Sequence, residues 1–248
     1  MELRLKPAFF WPINSTIVRL LKLSAKLAWQ RTVFRVLWKT SPGRAVDRAV
    51  RMLLTPPRQG LSEDERMALE QASTLRIPMI SGRLVAWRWG RPGDPAVVLV
   101  HGWGGRGAQL RSFIAPLLER GFSAVAFDAP GHGMSGGEES SLPQFLLGLN
   151  AILDHLGPVH AIVGHSVGGA MATIALARRP ELKRGVLIAP PASLVDHTRR
   201  IATVLRWPEA LRAATQRRCR LTLCSMRRSN CSAELRWPRR RDPAPGSG

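Results

Sequence analysis

The stretch 159–177, VHAIVGHSVGGAMATIALA, joins an apolar run to an alanine-rich run through Gly164-His165-Ser166-Val167-Gly168. This pattern predicts a strand, a sharp turn and a helix, with the hydroxyl of Ser166 exposed at the turn. Gly164 and Gly168 lack a Cβ atom, so the strand and the helix can approach each other closely there. The plainer alternative is an ordinary strand-to-helix turn in which the side chain of Ser166 caps the helix.

Two further apolar runs also end in glycine-rich loops. AVVLV at 96–100 leads into HGWGG at 101–105, and FSAVAF at 122–127 leads into DAPGHGMS from 128. Continuous apolar runs of this length indicate buried strands, and a helical pattern from about 107 to 120 separates them. The alternation predicts a parallel sheet with right-handed crossovers. Strand-like runs at 75–80 and 83–89 predict an antiparallel edge hairpin, and GVLIA at 185–189 predicts one more strand.

The three loop motifs HGWGG, DAPGHGMS and GHSVGG match the α/β-hydrolase family in kind, order and spacing, and the chain resembles that family over roughly residues 75–205. The resemblance implies an α/β fold: a mostly parallel sheet with helices on both faces, here without the family's C-terminal strands. It implies that Ser166 is the catalytic nucleophile, and that the backbone N–H groups of Trp103 and Val167 form the oxyanion hole. A serine at this position disfavours the branches of the fold that use an aspartate.

The other motif residues are expected to shape these loops. The loop-forming residues are His101, Gly102, Asp128, Gly164 and Gly168. We expect His101 to brace its loop by hydrogen bonds and Asp128 to bind backbone N–H groups of its own loop. The side chain of His165 is expected to point away from Ser166 into the sheet, and His132 is not expected to be the base.

The catalytic acid and histidine are missing from their usual places. In the family they follow the nucleophile in the order acid, then histidine. After Ser166 the only histidine is His197, and residues 198–248 contain none. On a helix the adjacent Asp196 and His197 point about 100° apart, so we do not expect them to act together as acid and base.

The resemblance implies a serine hydrolase that cleaves an ester or related acyl bond through an acyl-enzyme on Ser166. Because the partners of Ser166 are missing, activity of this chain is expected to be impaired. The alternative is a non-catalytic or membrane-peripheral binding protein that retains the hydrolase scaffold. A small acyl compound is the expected partner, and the oligomeric state stays open. The sequence has no metal-ligand spacing and no nucleotide-binding loop, so no cofactor or metal is expected.

The formal net charge of +20 is concentrated at the two ends of the chain. Residues 1–60, a basic amphipathic helical segment, carry twelve basic and two acidic residues. Residues 61–212, the incomplete hydrolase core, carry sixteen basic and thirteen acidic residues. Residues 213–248 hold nine arginines, two acids and all three cysteines, and are predicted to be disordered. A frameshift or truncation would explain this tail. An arginine-rich arm for nucleic acid is the less favoured alternative.

The N-terminal segment predicts helices. Arg19, Lys22 and Lys26 share one helix face, whereas Arg31, Arg35 and Lys39 share another. This arrangement predicts two short amphipathic helices, or a break near residues 28–31, rather than one continuous helix face. They either pack on the body or a partner subunit, or bind an anionic membrane surface.

The remaining sequence signals concern location and the start of the core. The charges interrupt every apolar run well short of the ~20 residues that a membrane span needs. No signal peptide is recognisable, and cysteines are confined to the tail, which predicts a cytoplasmic location, with the inner face of a membrane as an alternative. Ser62 followed by Glu65 predicts a helix start with a capping box.

Overall fold

The structure is a computed structural model that describes the backbone of residues 15–80 and 82–225, and the side chains of residues 24–80, 82–193 and 199–219. Its elements, in chain order, are α1 (Ser15–Thr40), α2 (Pro42–Leu54), α3 (Glu63–Glu70), β1 (Ser73–Met79), β2 (Gly82–Trp89), β3 (Ala96–Val100), a 3₁₀ segment (Gly107–Phe113), α4 (Ile114–Leu118), β4 (Ser123–Asp128), α5 (Leu142–Leu156), β5 (Ala161–His165), α6 (Val167–Arg178), β6 (Gly185–Ile188), α7 (Leu194–Val204) and α8 (Glu209–Ser225).

The six strands form one sheet in the order β1-β2-β4-β3-β5-β6. Strands β4, β3, β5 and β6 run parallel, and the β1–β2 hairpin joins β4 antiparallel. The predicted α/β class, the mostly parallel sheet and the antiparallel edge hairpin are therefore confirmed. Because carboxyl ends of parallel strands meet at one edge, the loops that follow β3, β4 and β5 lie together.

Helices cover both faces of the sheet, as their apolar patterns require. One core packs alternate side chains of β3, including Val98, against the apolar faces of α5 and α6. The other packs Val97 and Leu99 against the 3₁₀ segment and α4. Every residue of β3 and β4 is buried, which explains why these two strands read as continuous apolar runs.

The N-terminal helices α1 and α2 pack against α7 and α8. Phe34 of α1 contacts Trp207 with ring centroids 4.9 Å apart, in a third core that also includes Ala45 and Ala49 of α2 and Leu211 of α8. This contact favours packing on the body over an isolated N-terminal segment. Residues 1–14, which belong to the predicted segment, lie outside the described part of the chain.

The predicted break near residues 28–31 was wrong. Helix α1 runs unbroken through it, and Arg31 in this turn donates two hydrogen bonds to the carbonyl of Val204, at 3.0 and 2.9 Å. The helix ends only at Thr40, because Pro42 disfavours a helical conformation at Ser41 and starts α2.

Residue 213 is not a structural boundary. Helix α8 runs through it to Ser225, and Thr215, beyond the proposed boundary, is buried. The prediction of disorder from 213 onwards therefore does not describe residues 213–225, because the apolar side of α8 packs on α2. Residues 226–248 lie outside the described part of the chain. Within the described residues, no helix is both long and apolar enough to cross a membrane.

Candidate active site

Ser166 stands at the turn between β5 and α6 in a backbone conformation that side chains rarely adopt. Its φ is 53° and its ψ is −122°. Its N–H donates to the carbonyl of Ile188 on the neighbouring strand at 2.8 Å, which anchors the turn to the sheet. Its hydroxyl makes no capping hydrogen bond to the helix. The turn thus differs from an ordinary N-cap and leaves the Ser166 hydroxyl free for other contacts.

The glycines around Ser166 allow β3, β5 and α6 to touch backbone to backbone. A Cβ atom on Gly164 would lie 2.7 Å from the carbonyl oxygen of Gly168. One on Gly168 would lie 2.3 Å from the carbonyl oxygen of His101. Real Cβ atoms do not approach backbone so closely, so both positions require glycine in this arrangement.

The loop after β3 lies against the turn at Ser166. A Cβ atom on Gly102 would lie 3.1 Å from the Cβ of Ser166. Val167 is the first residue of α6, so its N–H has no acceptor within the helix. The N–H of Trp103 likewise has no acceptor among the described residues. Among the described residues, the start of α6 and the loop after β3 therefore each carry one unpaired backbone donor.

His101 is a buried brace between two loops. Its Nε2 accepts a hydrogen bond from the N–H of Ala129 at 3.0 Å, so its Nδ1 carries the proton and donates to the carbonyl of Gly102 at 2.7 Å. Burial lowers the pKa of His101 to about 3, and neighbouring His132 contributes in the same direction. A neutral imidazole with both nitrogens occupied holds the loops together and has no nitrogen left for Ser166.

His132 lies in an aromatic cluster beside the same loops. Its ring packs edge-on against Trp103, with centroids 5.1 Å apart, and against Phe145 at 5.4 Å. Nδ1 donates to the carbonyl of Pro130 at 3.0 Å, and the buried Nε2 has no partner among the described residues. Burial lowers the pKa of His132 to about 4, so the ring is neutral at pH 7.

Asp128 binds backbone N–H groups of its own loop and of the 3₁₀ segment that follows β3. Oδ1 accepts the N–H of Gly107 and Oδ2 accepts the N–H of Met134, both at 2.7 Å. Gly133 packs so tightly on this carboxylate that a Cβ there would lie 1.9 Å from Oδ2. Burial raises the pKa of Asp128 to about 6, against these two hydrogen bonds and the charge of Arg106, which lower it. With both oxygens occupied, Asp128 is a loop anchor rather than a partner for a histidine.

Three charged residues near these loops escaped the sequence prediction. Arg106 is buried and forms an ion pair with Glu65 of α3, with Nη2 and Oε2 2.6 Å apart. Burial opposes ionisation of Glu65, but hydrogen bonds from Arg106 and from the N–H of Ser62 hold its pKa below the ordinary value. The predicted capping box of Ser62 and Glu65 is present, and it was the only signal in the sequence pointing to Glu65.

The third charged residue is Arg58, in the segment 55–62 that joins α2 to α3. Its guanidinium donates to the carbonyls of Gly131, Ser135 and Gly137, at 3.4, 3.0 and 2.6 Å. The preceding Pro57 packs on Gly104, where a Cβ would lie 2.9 Å from the proline ring. The segment 55–62 therefore braces both the loop after β3 and the loop after β4.

The described residues do not supply a base for Ser166. No histidine nitrogen among them hydrogen-bonds its hydroxyl. His165 is exposed, so the expectation that its side chain enters the sheet was wrong: at the end of β5 the side chain lies beside Gly102 at the sheet edge, with Nδ1 3.3 Å from the position of a Cβ on that glycine. The side chains of Asp196 and His197 lie outside the described part of the chain. No group of metal-ligating side chains occurs in the part of the chain that the structure describes.

Comparison with known proteins agrees with this geometry. Residues 97–247 match the sequence model of the alpha/beta hydrolase family. The chain is 30% identical over 122 residues to a serine hydrolase-like protein of Danio rerio, covering 47% of this chain and 37% of that protein. It is 32% identical over 120 residues to a pimeloyl-[acyl-carrier protein] methyl ester esterase of Xanthomonas campestris, and the alignment covers 47% of this chain and 42% of that esterase.

A solved structure of an esterase from Pyrococcus furiosus superposes with a TM-score of 0.52 at 25% identity, covering 65% of this chain and 69% of that one. The chain spans 37% of the Danio rerio protein and 64% of a serine hydrolase-like protein of Homo sapiens. The family match covers more than half of the chain, from Val97 in β3 onwards, including the turn at Ser166. The chain therefore belongs to the α/β hydrolase family.

Proposed function

We propose that the chain is a serine hydrolase that acts on an ester or a related acyl bond, with Ser166 as its nucleophile. The observation that carries this proposal is the strained backbone of Ser166, with φ at 53°, held between a buried strand and a helix N-terminus. Strain of about 1–3 kcal/mol at one residue persists where the surrounding structure enforces it, typically at a functional site. The esterases among the similar proteins support the choice of an acyl substrate.

The reaction would start when the Ser166 oxygen attacks the acyl carbonyl carbon. The serine proton passes to a base, and the carbonyl electrons move onto the oxygen, which becomes an oxyanion. The N–H groups of Trp103 and Val167 would hold this oxyanion, and one such donor typically contributes about 10²–10³ in rate. Collapse of the tetrahedral intermediate breaks the ester C–O bond, the base returns its proton to the leaving oxygen, and the alcohol departs with the acyl group left on Ser166. Water then hydrolyses this acyl-enzyme to the carboxylic acid and restores the Ser166 hydroxyl.

We further propose that this chain is a slow catalyst. Among the described residues no histidine contacts Ser166, so nothing there accepts its proton. In other serine hydrolases, removing residues of the catalytic triad leaves only the residual catalysis that the oxyanion hole and substrate binding provide. The alternative, a binding protein that keeps the hydrolase scaffold, is favoured by this same observation.

Labelling with a fluorophosphonate probe, followed by peptide mass spectrometry, tests the assignment. We expect slow labelling of Ser166 that disappears in Ser166→Ala and persists in Ser112→Ala, a matched change at an exposed serine. Hydrolysis of p-nitrophenyl butyrate should be weak. The absence of any adduct on Ser166 after prolonged incubation would favour the binding protein. Rapid hydrolysis by the wild-type chain that is lost in Ser166→Ala would show that Ser166 is the nucleophile and would contradict the proposal that this chain is a slow catalyst.

A further inference from the structure

A positively charged cavity lies where α1 meets α2. Its volume is about 360 Å³, and its lining residues are Leu37, Arg44, Asp47, Arg48 and Arg51. Positions 44, 48 and 51 are four and three residues apart, so the arginines share one face of α2. Three guanidinium groups face one carboxylate, and none of the five residues belongs to the candidate active site. The cavity therefore offers a cationic environment separate from Ser166.

The arginines of the cavity differ in how they are held. Arg48 donates to Oε1 of Gln30 at 3.4 Å, and its guanidinium lies over the ring of Phe34 at 5.9 Å from the centroid. The side chains of Arg44 and Arg51 have no hydrogen-bond or ion-pair partner within the described residues. The one carboxylate, Asp47, is paired with Arg218 of α8 at 3.6 Å. One guanidinium is thus oriented and two have all their donors available.

We infer that this cavity binds the phosphate group of a phosphate monoester. A guanidinium fork matches a pair of phosphate oxygens, and a monoester presents three such oxygens with close to two negative charges. Three guanidinium groups on one helix face match the phosphate of a monoester better than they match a ligand with a single carboxylate, because a carboxylate pairs with only one guanidinium. The cavity is open to solvent, since Arg44, Asp47 and Arg51 are exposed, and its volume of about 360 Å³ accommodates a phosphate group with a small organic group on its solvent side.

Binding of two probes tests the site directly and does not depend on hydrolase activity. Glycerol 3-phosphate, measured by isothermal titration calorimetry, represents a soluble ligand. Vesicles of phosphatidylcholine with and without phosphatidic acid, measured by co-sedimentation, represent a lipid headgroup. The variant that alters the cavity, called the pocket variant, is Arg44→Gln/Arg51→Gln. Its control is Arg76→Gln/Arg83→Gln, which removes the same charge from two exposed arginines of the β1–β2 hairpin.

We expect the pocket variant to bind at least one probe about tenfold or more weakly, because hydrogen bonds to charged groups are lost. The hairpin control should bind as the wild type does. Arg48→Lys keeps the charge but not the fork, and should also weaken binding. Loss confined to glycerol 3-phosphate identifies a soluble ligand, and loss confined to phosphatidic acid vesicles identifies a lipid headgroup.

Three results would overturn the inference. The first is the absence of binding to either probe by the wild-type chain. The second is equal weakening in the pocket variant and the hairpin control, which would indicate diffuse attraction by net charge. The third is tighter binding to a DNA duplex than to both probes. Circular dichroism of each variant checks that the helices remain folded. If the double variant does not fold, Arg48→Lys alone tests the inference.

Discussion

Arg106 and Glu65 form an ion pair in which both residues are buried, 8% and 3% exposed, with Nη2 and Oε2 2.6 Å apart. The pair joins the loop after β3, which carries Trp103, to the first turn of α3. Glu65 also accepts the N–H of Ser62, and Arg106 donates to the carbonyl of Gln59. The carboxylate of Glu65 therefore links the candidate oxyanion loop to the segment that precedes the sheet.

Replacing Arg106 by methionine is expected to destabilise the chain strongly. The substitution leaves Glu65 buried without a cation, and breaking a buried pair in this way costs about 3–5 kcal/mol. The measurement is the free energy of unfolding in urea. Arg111→Met is the matched control, because Arg111 pairs at 3.0 Å with the exposed Asp64 and such surface pairs contribute at most about 1 kcal/mol. Equal losses in the two variants would contradict a special role of the buried pair.

Gly168→Ala is expected to disrupt the site, whereas Gly43→Ala is not. The new methyl group at 168 would lie 2.3 Å from the carbonyl oxygen of His101, so α6 and the loop after β3 must separate. Overpacking of this kind costs about 1–3 kcal/mol or more. Gly43, also in a helix, has no atom within 4 Å of its Cβ position, and the same change there should stabilise the chain by about 0.4–1 kcal/mol.

Thermal unfolding of the two alanine variants checks this prediction. We expect a lower melting temperature for Gly168→Ala and an equal or higher one for Gly43→Ala. Fluorophosphonate labelling of Ser166 should also fall in Gly168→Ala alone. A Gly168→Ala variant as stable as the wild type would mean that the backbone contact between α6 and His101 is not as close as described.

The fold was predictable because its signals are local. Strands β3 and β4 are buried on both faces, so their sequences are apolar throughout, and each ends in a glycine-rich loop. The glycines at 164 and 168 marked a close approach that the structure contains. The sequence pattern failed in α1, because a rotation of the charged face does not by itself end a helix, and α1 is continuous where the charges predicted a break.

The bracing of the site depends on contacts between residues far apart in sequence. Arg106 and Glu65 are 41 residues apart, and Arg58 reaches carbonyls more than 70 residues away. Neither contact leaves a periodic or spacing signal. The orientation of His165 was mispredicted for a related reason, because it depends on how the loop after β3 lies against the end of β5.

The buried histidines should make the chain sensitive to acid. The pKa values of His101 and His132 are about 3 and about 4 in the folded chain, below the ordinary 6.5. At a pH between about 4 and 6.5, these two histidines are protonated in the unfolded chain but not in the folded chain. The free energy of unfolding therefore falls as the pH decreases through this range. Asp128 acts oppositely, since its pKa of about 6 lets the folded chain hold a proton that the unfolded chain has lost.

Because two imidazoles oppose one carboxylate, we expect a net loss of roughly 2–3 kcal/mol between pH 7 and 4.5. His132→Phe should remove most of this loss, because the contributions of the remaining imidazole and of Asp128 then nearly cancel. A phenyl ring fits the same aromatic contacts and cannot be protonated. The measurement is the free energy of unfolding in urea at several pH values. His155→Phe, at an exposed site on α5, is the control, and a pH dependence unchanged in His132→Phe would contradict the assignment.

Arg58→Gln should loosen the loop after β4 without unfolding the chain. The guanidinium holds the carbonyls of Gly131, Ser135 and Gly137, and the loss of hydrogen bonds to a charged group costs about 1.5–3 kcal/mol. Local opening of the loop should become roughly ten- to a hundredfold more frequent. Hydrogen exchange of the peptide spanning 129–139 should therefore accelerate, while exchange in β3 stays unchanged. Arg76→Gln, on exposed β1, should change neither, and acceleration throughout the sheet would show that Arg58 stabilises the whole fold rather than this loop.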